Sequence, residues 1–137
     1  MTSTDPPADP DRAARPDPPR ASVSLGKAGE DLAERYLLDR GMSVIERNWR
    51  CEHGEVDVVA VDGACLVICE VKTRRSVAFG EPVEAVTHAK AARLRRLAAA
   101  YVRDHETGCA AVRVDVLGIL FRVGRPPVVR HVRGVGS

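Results

Sequence analysis

Gly54-Glu55-Val56-Asp57-Val58-Val59-Ala60-Val61-Asp62-Gly63-Ala64-Cys65-Leu66-Val67-Ile68-Cys69-Glu70-Val71-Lys72-Thr73-Arg74 is the stretch that decides the fold. Residues 55–61 and 64–73 are rich in Val and Ile and bounded by turn formers, which predicts two strands. Asp62-Gly63 between them predicts a hairpin closed by a two-residue type I′ turn. That turn sets Val61 opposite Ala64, Asp57 opposite Ile68 and Glu55 opposite Glu70. Side chains alternate along a strand, so Ile68, Glu70 and Lys72 share one face. Asp57 falls on that face, diagonal to Glu70 at a Cα separation of roughly 7–8 Å. The opposite face, with Val56, Val58, Ala60, Val67, Cys69 and Val71, reads as buried.

Val59, Val61, Leu66 and Ile68 accompany the charges, so the charged face is partly buried as well. Acids gathered on such a face repel one another unless a proton or a cation neutralises them, and a cation is the favoured reading. Two carboxylates and an amine at this spacing can hold a divalent metal beside a phosphate. The bland alternative is a solvated strand face with Glu70 and Lys72 as an ordinary surface pair, since Asp…Glu-x-Lys is a short and common pattern. Glu55 is ambiguous: it faces the acids, caps the hairpin base or pairs with Arg50.

Outward from the hairpin, 137 residues with 45% hydrophobic content bound a single domain. Six of the nine prolines lie in residues 1–20, which contain no apolar run. Residues 1–22 therefore read as a disordered tail, neither signal peptide nor membrane span, with the domain over 23–132 and a flexible end over 133–137. No stretch is suited to crossing a bilayer, which gives a cytoplasmic expectation. Cys51, Cys65, Cys69 and Cys109 read as structural thiols; Cys51 with His53 starts a zinc pattern that nothing completes. Residues 23–89 hold 8 Lys/Arg against 12 Asp/Glu, and residues 90–137 hold 10 against 3. An acidic half beside a basic half suits an anionic polymer held near a metal.

Leu25, Ala28, Leu32, Tyr36 and Leu37 recur at helical spacing, predicting a helix over 25–40 that stops at Gly41. Glu30 lies beside its apolar stripe and by pattern alone is an exposed carboxylate. Gly26 and Gly29 permit close approach of another backbone or a phosphate. A first strand over 42–50 carries Trp49. Phe79-Gly80-Glu81-Pro82 is a loop that covers a site, touches a base or merely connects, the last being commonest. A long helix over 83–105 places Lys90, Arg93, Arg96 and Arg103 on one ridge, suited to phosphates. Aromatic content of 4% leaves little surface for stacking on bases. Strands over 110–121 and 128–132 follow, joined through Gly124-Arg125-Pro126-Pro127. Arg113 and Asp115 share a face, where they pair or Arg113 meets a phosphate or a site acid. The order α-β-β-β-α-β-β predicts an α/β fold, a mixed β-sheet flanked by helices.

Gly26-x-x-Gly29-Glu30 with Ala33 and Leu37, Asn48-Trp49-Arg50, Gly54-Glu55-Val56-Asp57, Glu70-Val71-Lys72-Thr73-Arg74, Phe79-Gly80 with Pro82, Lys90 with Leu94 and Tyr101, and Arg113-x-Asp115 together carry a resemblance. Over roughly residues 24–120 the chain closely resembles the YraN-like family of uncharacterised bacterial proteins expected to be nucleases. That family looks like a branch of the PD-(D/E)xK superfamily, similar to archaeal Holliday-junction resolvases, which implies a restriction-endonuclease-like core. The resemblance implies Asp57 and Glu70 as metal carboxylates, Glu30 as an additional acid and Lys72 as the catalytic cation. The implied cofactor is Mg²⁺ or Mn²⁺, and the implied partner is nucleic acid, DNA foremost, branched or single-stranded. Lys90, Arg93, Arg96, Arg74 and Arg113 are the expected nucleic-acid contacts. A homodimer is compatible with the resemblance, although no apolar stripe demands one. The two function classes are a metal-dependent nuclease and a non-catalytic nucleic-acid-binding module that kept the fold.

Overall fold

The computed structural model describes residues 22–75 and 88–135. Helix α1 (Ser22–Asp39) is followed by strands β1 (Ser43–Cys51), β2 (Gly54–Asp62) and β3 (Cys65–Arg74), helix α2 (His88–Asp104), and strands β4 (Ala111–Arg122) and β5 (Arg125–Val132). The expected element order holds. Residues 1–21 of the expected tail, the Phe79 segment, residues 83–87 of the expected second helix and residues 136–137 lie outside the described residues.

The five strands form one mixed sheet in the order β1-β2-β3-β4-β5. β1, β2 and β3 run as an antiparallel meander, β3 and β4 are parallel, and β4 and β5 close an antiparallel hairpin. A parallel pair needs a crossover, and the segment containing α2 supplies it between β3 and β4. Pro126 and Pro127 sit in β5, an edge strand, where proline leaves fewer ladder donors missing. They belong to the strand and not to the turn: Arg122 pairs with Arg125, leaving Val123 and Gly124 as the connection.

Each helix covers one face of the sheet. Ala33 and Leu37 of α1 pack with Met42, Val58, Ala60, Val67, Cys69, Leu117 and Ile119. Leu94, Leu97, Ala98 and Tyr101 of α2 pack with Val56, Val59, Leu66, Ile68, Val114 and Val116. At the end of α1, the Met42 N–H donates to the Leu37 carbonyl at 3.1 Å and the Gly41 N–H to Leu38 at 3.0 Å. This pair of bonds is the Schellman cap, and it sends Met42 back into the core beside Leu37. Among the described residues no helix is long and apolar enough to cross a membrane.

The β2–β3 register departs from expectation. Asp62 pairs with Cys65 and Val58 with Cys69, so the turn is Gly63-Ala64 and not Asp62-Gly63. Type I′ requires positive φ at both central residues, which would have placed Asp62 in that region. The observed turn needs it only at Gly63, where φ is +61°. Each strand slips by one residue, so face parity survives, and Asp57 comes level with Glu70 instead of diagonal to it.

Alternation also breaks once along β2, which the sequence did not reveal. Val56 packs under α2 with Val59, while Val58 packs under α1. β1 changes face at the same level. Arg47 reaches the carboxylates of α1, whereas Trp49, two residues on, meets Tyr101 of α2 edge-on at 5.0 Å. Between them Asn48 has φ +56°, the one described non-glycine residue in the left-handed region, and asparagine tolerates that conformation best. The constant register on either side sets Asn48 level with Asp57. Both strands therefore turn over together at the level of the acid.

Candidate functional site

Asp57 stands where β2 and β3 part. The last paired residues on that side are Val58 and Cys69, and beyond them the Val71 N–H donates to Asp57 Oδ2 at 2.7 Å. A carboxylate thus replaces a strand carbonyl in the ladder. Burial pushes the Asp57 carboxyl up to about 6; the Val71 N–H works against that rise, and the nearby charges of Glu70, Glu30 and Glu55 add to it.

Glu70 is buried, with 7% of its surface exposed, and three cations converge on it. Arg93 Nη2 lies 3.1 Å from Oε1, while Lys72 Nζ and Lys90 Nζ each lie 3.4 Å from Oε2. Lys72 comes from the same strand two residues on, so alternation returns it to the same face. Lys90 and Arg93 come from α2 at i and i+3, one face of the helix. The ammonium of Lys72 beside it, together with partial burial, lowers the pKa of Lys90, and Glu70 opposes that shift. Like charges are therefore held close here by their shared carboxylate.

Glu30 is brought near Asp57 by two devices. One is Gly29, where an added Cβ would sit 2.0 Å from Thr73 Cγ2, so α1 rests directly on β3 at this point. Gly26, by contrast, has nothing within 4 Å of such a Cβ, and close approach is confined to Gly29. The other device is Arg47, whose guanidinium reaches Asp31 at 2.8 Å, Glu34 at 3.0 Å and Glu30 at 3.4 Å. Three acids spaced along one turn of helix gather on one arginine of β1.

Gly29→Ala is expected to lose about 1–3 kcal/mol of stability through overpacking against Thr73. Adding Thr73→Ser removes the offending Cγ2 and restores most of the loss. Thermal unfolding of the two variants checks this, and equal instability of both would contradict the contact.

The remaining expected contacts divide. Arg96 is exposed on α2, and Arg74 donates from Nη1 to the Thr73 carbonyl at 2.9 Å. Arg113 lies elsewhere. It pairs with Asp115 through Nε at 2.9 Å and Nη2 at 3.0 Å, on the α1 face of the sheet and level with Val67, well short of Glu70. Of the two readings of Arg113, the structure takes the pairing with Asp115. Glu55 faces Arg50 at 3.7 Å, which is the salt-bridge alternative for that residue.

Sequence reasoning missed Arg47, because a lone arginine in a strand carries no partner information. It also missed His131, whose Nε2 lies 2.8 Å from Asp115 Oδ2. Trp49, Tyr101 and His105 form a further unforeseen group, with Tyr101 and His105 stacked at 3.9 Å and the Tyr101 hydroxyl donating to Glu46 at 3.0 Å.

Hard oxygen donors are the set that Mg²⁺ takes, and one or two carboxylates with waters suffice for it. Asp57 and Glu70 meet that requirement in kind: both are carboxylates, Glu70 buried and Asp57 half-buried, and the charge of Glu70 acts on Asp57. Among the described residues no group of three or more His, Cys, Asp or Glu is assembled to hold a metal ion.

Comparison with known proteins places this chain in a family. The model of the uncharacterised protein family UPF0102 matches residues 29–119. A UPF0102 protein of Arthrobacter sp. strain FB24 is 55% identical over 117 residues, covering 85% of this chain and 99% of the relative. One from Acidothermus cellulolyticus is 50% identical over 124 residues, covering 83% and 94%. One from Streptomyces griseus is 53% identical over 116 residues, covering 84% and 98%. The matched span runs from Gly29, seated on Thr73, to Ile119 in the inner strand β4, and so takes in Glu30, Asp57, Glu70, Lys72, Lys90 and Arg93. The chain belongs to the UPF0102 family.

Proposed function

We propose that this protein is a metal-dependent nuclease hydrolysing phosphodiester bonds of nucleic acid, DNA foremost. The observation that carries the reading is Asp57 where β2 and β3 diverge, near enough to Glu70 to feel its charge, with Lys72 against Glu70 and Lys90 and Arg93 presented from α2. Buried acids that repel each other are costly to the fold, and such arrangements concentrate at functional sites. Membership of a uniformly cationic site would not need Asp57.

Asp57 and Glu70 would hold Mg²⁺ or Mn²⁺, with Glu30 behind Asp57. A bound divalent ion polarises a phosphoryl oxygen and lowers the pKa of a bound water. Lys72 is a compact ammonium suited to orienting the attacking water or stabilising negative charge as it develops. Lys90, Arg93, Arg96 and Arg74 bind and align the phosphate backbone, which is read as charge and not as sequence. The reading places the protein in the cytoplasm, where nucleic acid and free Mg²⁺ are both available.

The second reading is a nucleic-acid-binding module that does not cut. It draws on the three cations that already neutralise Glu70 without any metal. Incubation with Mg²⁺ or Mn²⁺ and single-stranded, duplex, flap and four-way-junction DNA separates the two. Cleavage that falls by roughly 10²–10³ in Lys72→Ala, as for loss of one transition-state donor, is the expected result. Binding without cleavage, unaltered in Lys72→Ala, leaves only the module.

A further inference from the structure

Glu70 has two claims on it: it is a candidate metal ligand, yet both of its oxygens face cations. Lys72, Lys90, Arg93, Glu70 and Asp57, all ionised, leave a local excess of one positive charge. A dication entering that cluster meets repulsion, and it must also displace the ammonium or guanidinium groups from Glu70. That excess belongs to the groups in direct contact around Glu70; Glu30, which shares Arg47 with Asp31 and Glu34, and Glu55, which faces Arg50, add negative charge from farther off. Two of the three cations differ from the third in what holds them. Lys72 rises from the strand that carries Glu70, whereas Lys90 and Arg93 arrive from a different element, α2; all three side chains are a quarter to a third exposed.

We infer that Lys90 and Arg93 are positioning residues that couple the two ligands, caging Glu70 in the free protein and moving to substrate phosphates when nucleic acid binds, so that metal and nucleic acid bind cooperatively. The inference rests on the nuclease reading and deepens it. Its physical basis is charge exchange: a phosphodiester offers Lys90 and Arg93 the negative charge that Glu70 supplies in its absence. Each backbone phosphate taken up by that pair frees carboxylate oxygens and lowers the local positive charge by one. Linkage makes the effect reciprocal, so the ion must tighten nucleic-acid binding by the same factor. A protein built in this way loads the ion where a substrate is present and holds it weakly elsewhere.

The test is Mn²⁺ binding by the full chain, read as the loss of the free-ion paramagnetic resonance signal. Wild type alone should bind weakly. Lys90→Gln/Arg93→Gln should bind about tenfold more tightly without nucleic acid, the order expected for removing two nearby charges at a partly exposed site. Glu70→Gln placed on that double variant should abolish the gain. A phosphorothioate oligonucleotide, which keeps the backbone charge and resists hydrolysis, should tighten Mn²⁺ binding to wild type by a comparable factor and leave the double variant nearly unchanged. Lys90→Gln alone should show a smaller gain in the same direction, which keeps the test available if the double variant unfolds. If Glu70→Gln weakens Mn²⁺ binding but Lys90→Gln and the double variant match wild type, the coupling is wrong and the metal site stands. If neither Glu70→Gln nor Asp57→Asn alters Mn²⁺ binding, the coupling and the metal-site reading fall together.

Discussion

Asp57→Asn is expected to stabilise the protein at neutral pH while reducing cleavage by roughly a hundredfold or more, the scale set by loss of a preorganised charge at a reacting phosphate. The stabilisation follows from the raised pKa. Unfolded, the Asp57 carboxyl titrates near 3.8; folded, burial foremost holds it at about 6. The folded state therefore binds the proton more tightly, and wild-type stability declines as pH rises from about 4 to about 6, then levels off. The difference between the two values corresponds to about 2–3 kcal/mol at neutral pH. Asparagine carries no charge and still offers an oxygen to the Val71 N–H, so it escapes that loss. Unfolding curves at pH 4 and pH 7.5 should coincide for the two proteins at the lower value and separate at the higher. A variant equally or less stable at pH 7.5 would show that Asp57 is not strained by its surroundings. Mn²⁺ or Mg²⁺ should narrow the gap by stabilising wild type alone.

Asp115→Ala should have the largest effect on stability, a loss of about 3–5 kcal/mol, because it strands buried charge that had a partner. Asp115 is fully buried and accepts from Arg113 through both oxygens, from the Gly134 N–H at 3.1 Å, and faces His131 at 2.8 Å. Burial works to raise its pKa, and His131, Arg113 and the Gly134 N–H overcome that to hold it at about 2. The sign is opposite to that of Asp57. The unfolded carboxyl is the better base, so this contribution is complete above about pH 4 and is lost as pH falls toward 2. Denaturant titrations of wild type and Asp115→Ala should differ fully at pH 7 and draw together as the pH falls from about 4 toward 2. A constant difference across that range would assign the loss to packing and not to charge. Arg113 and Arg133 also meet Asp62 at 3.3 and 3.2 Å, so the network joins the β2–β3 turn to the C-terminal segment. Its disruption should loosen β5 first, an edge strand held on one side only.

The two acids show how differently sequence reading fares. Asp57 and Asp115 each sit in a valine-rich strand, and nothing local says that one is strained and the other satisfied. The difference lies in the cations each meets. Arg113 is two residues from Asp115 and reaches it along its own strand face, so that pairing was legible as one of two options. The cations around Glu70 arrive from β3 and from α2, and only Lys72 was fixed by alternation. Arg47 gathers acids 13 to 17 residues away, which no local pattern encodes.

Amino-acid order alone determined the elements, their sequence along the chain and the face shared by Glu70 and Lys72, because strand alternation and helical spacing are local properties of the backbone. Parity protected that result even where the turn was misplaced: moving from Asp62-Gly63 to Gly63-Ala64 slips each strand by one residue and changes no face. Tertiary structure decided the rest. The joint turnover of β1 and β2 at Asn48 and Asp57, the seat of Gly29 on Thr73 and the caging of Glu70 by α2 all depend on contacts between elements distant in sequence. Such contacts are selected by the packing of the whole sheet between its helices, and no single segment carries enough information to specify them.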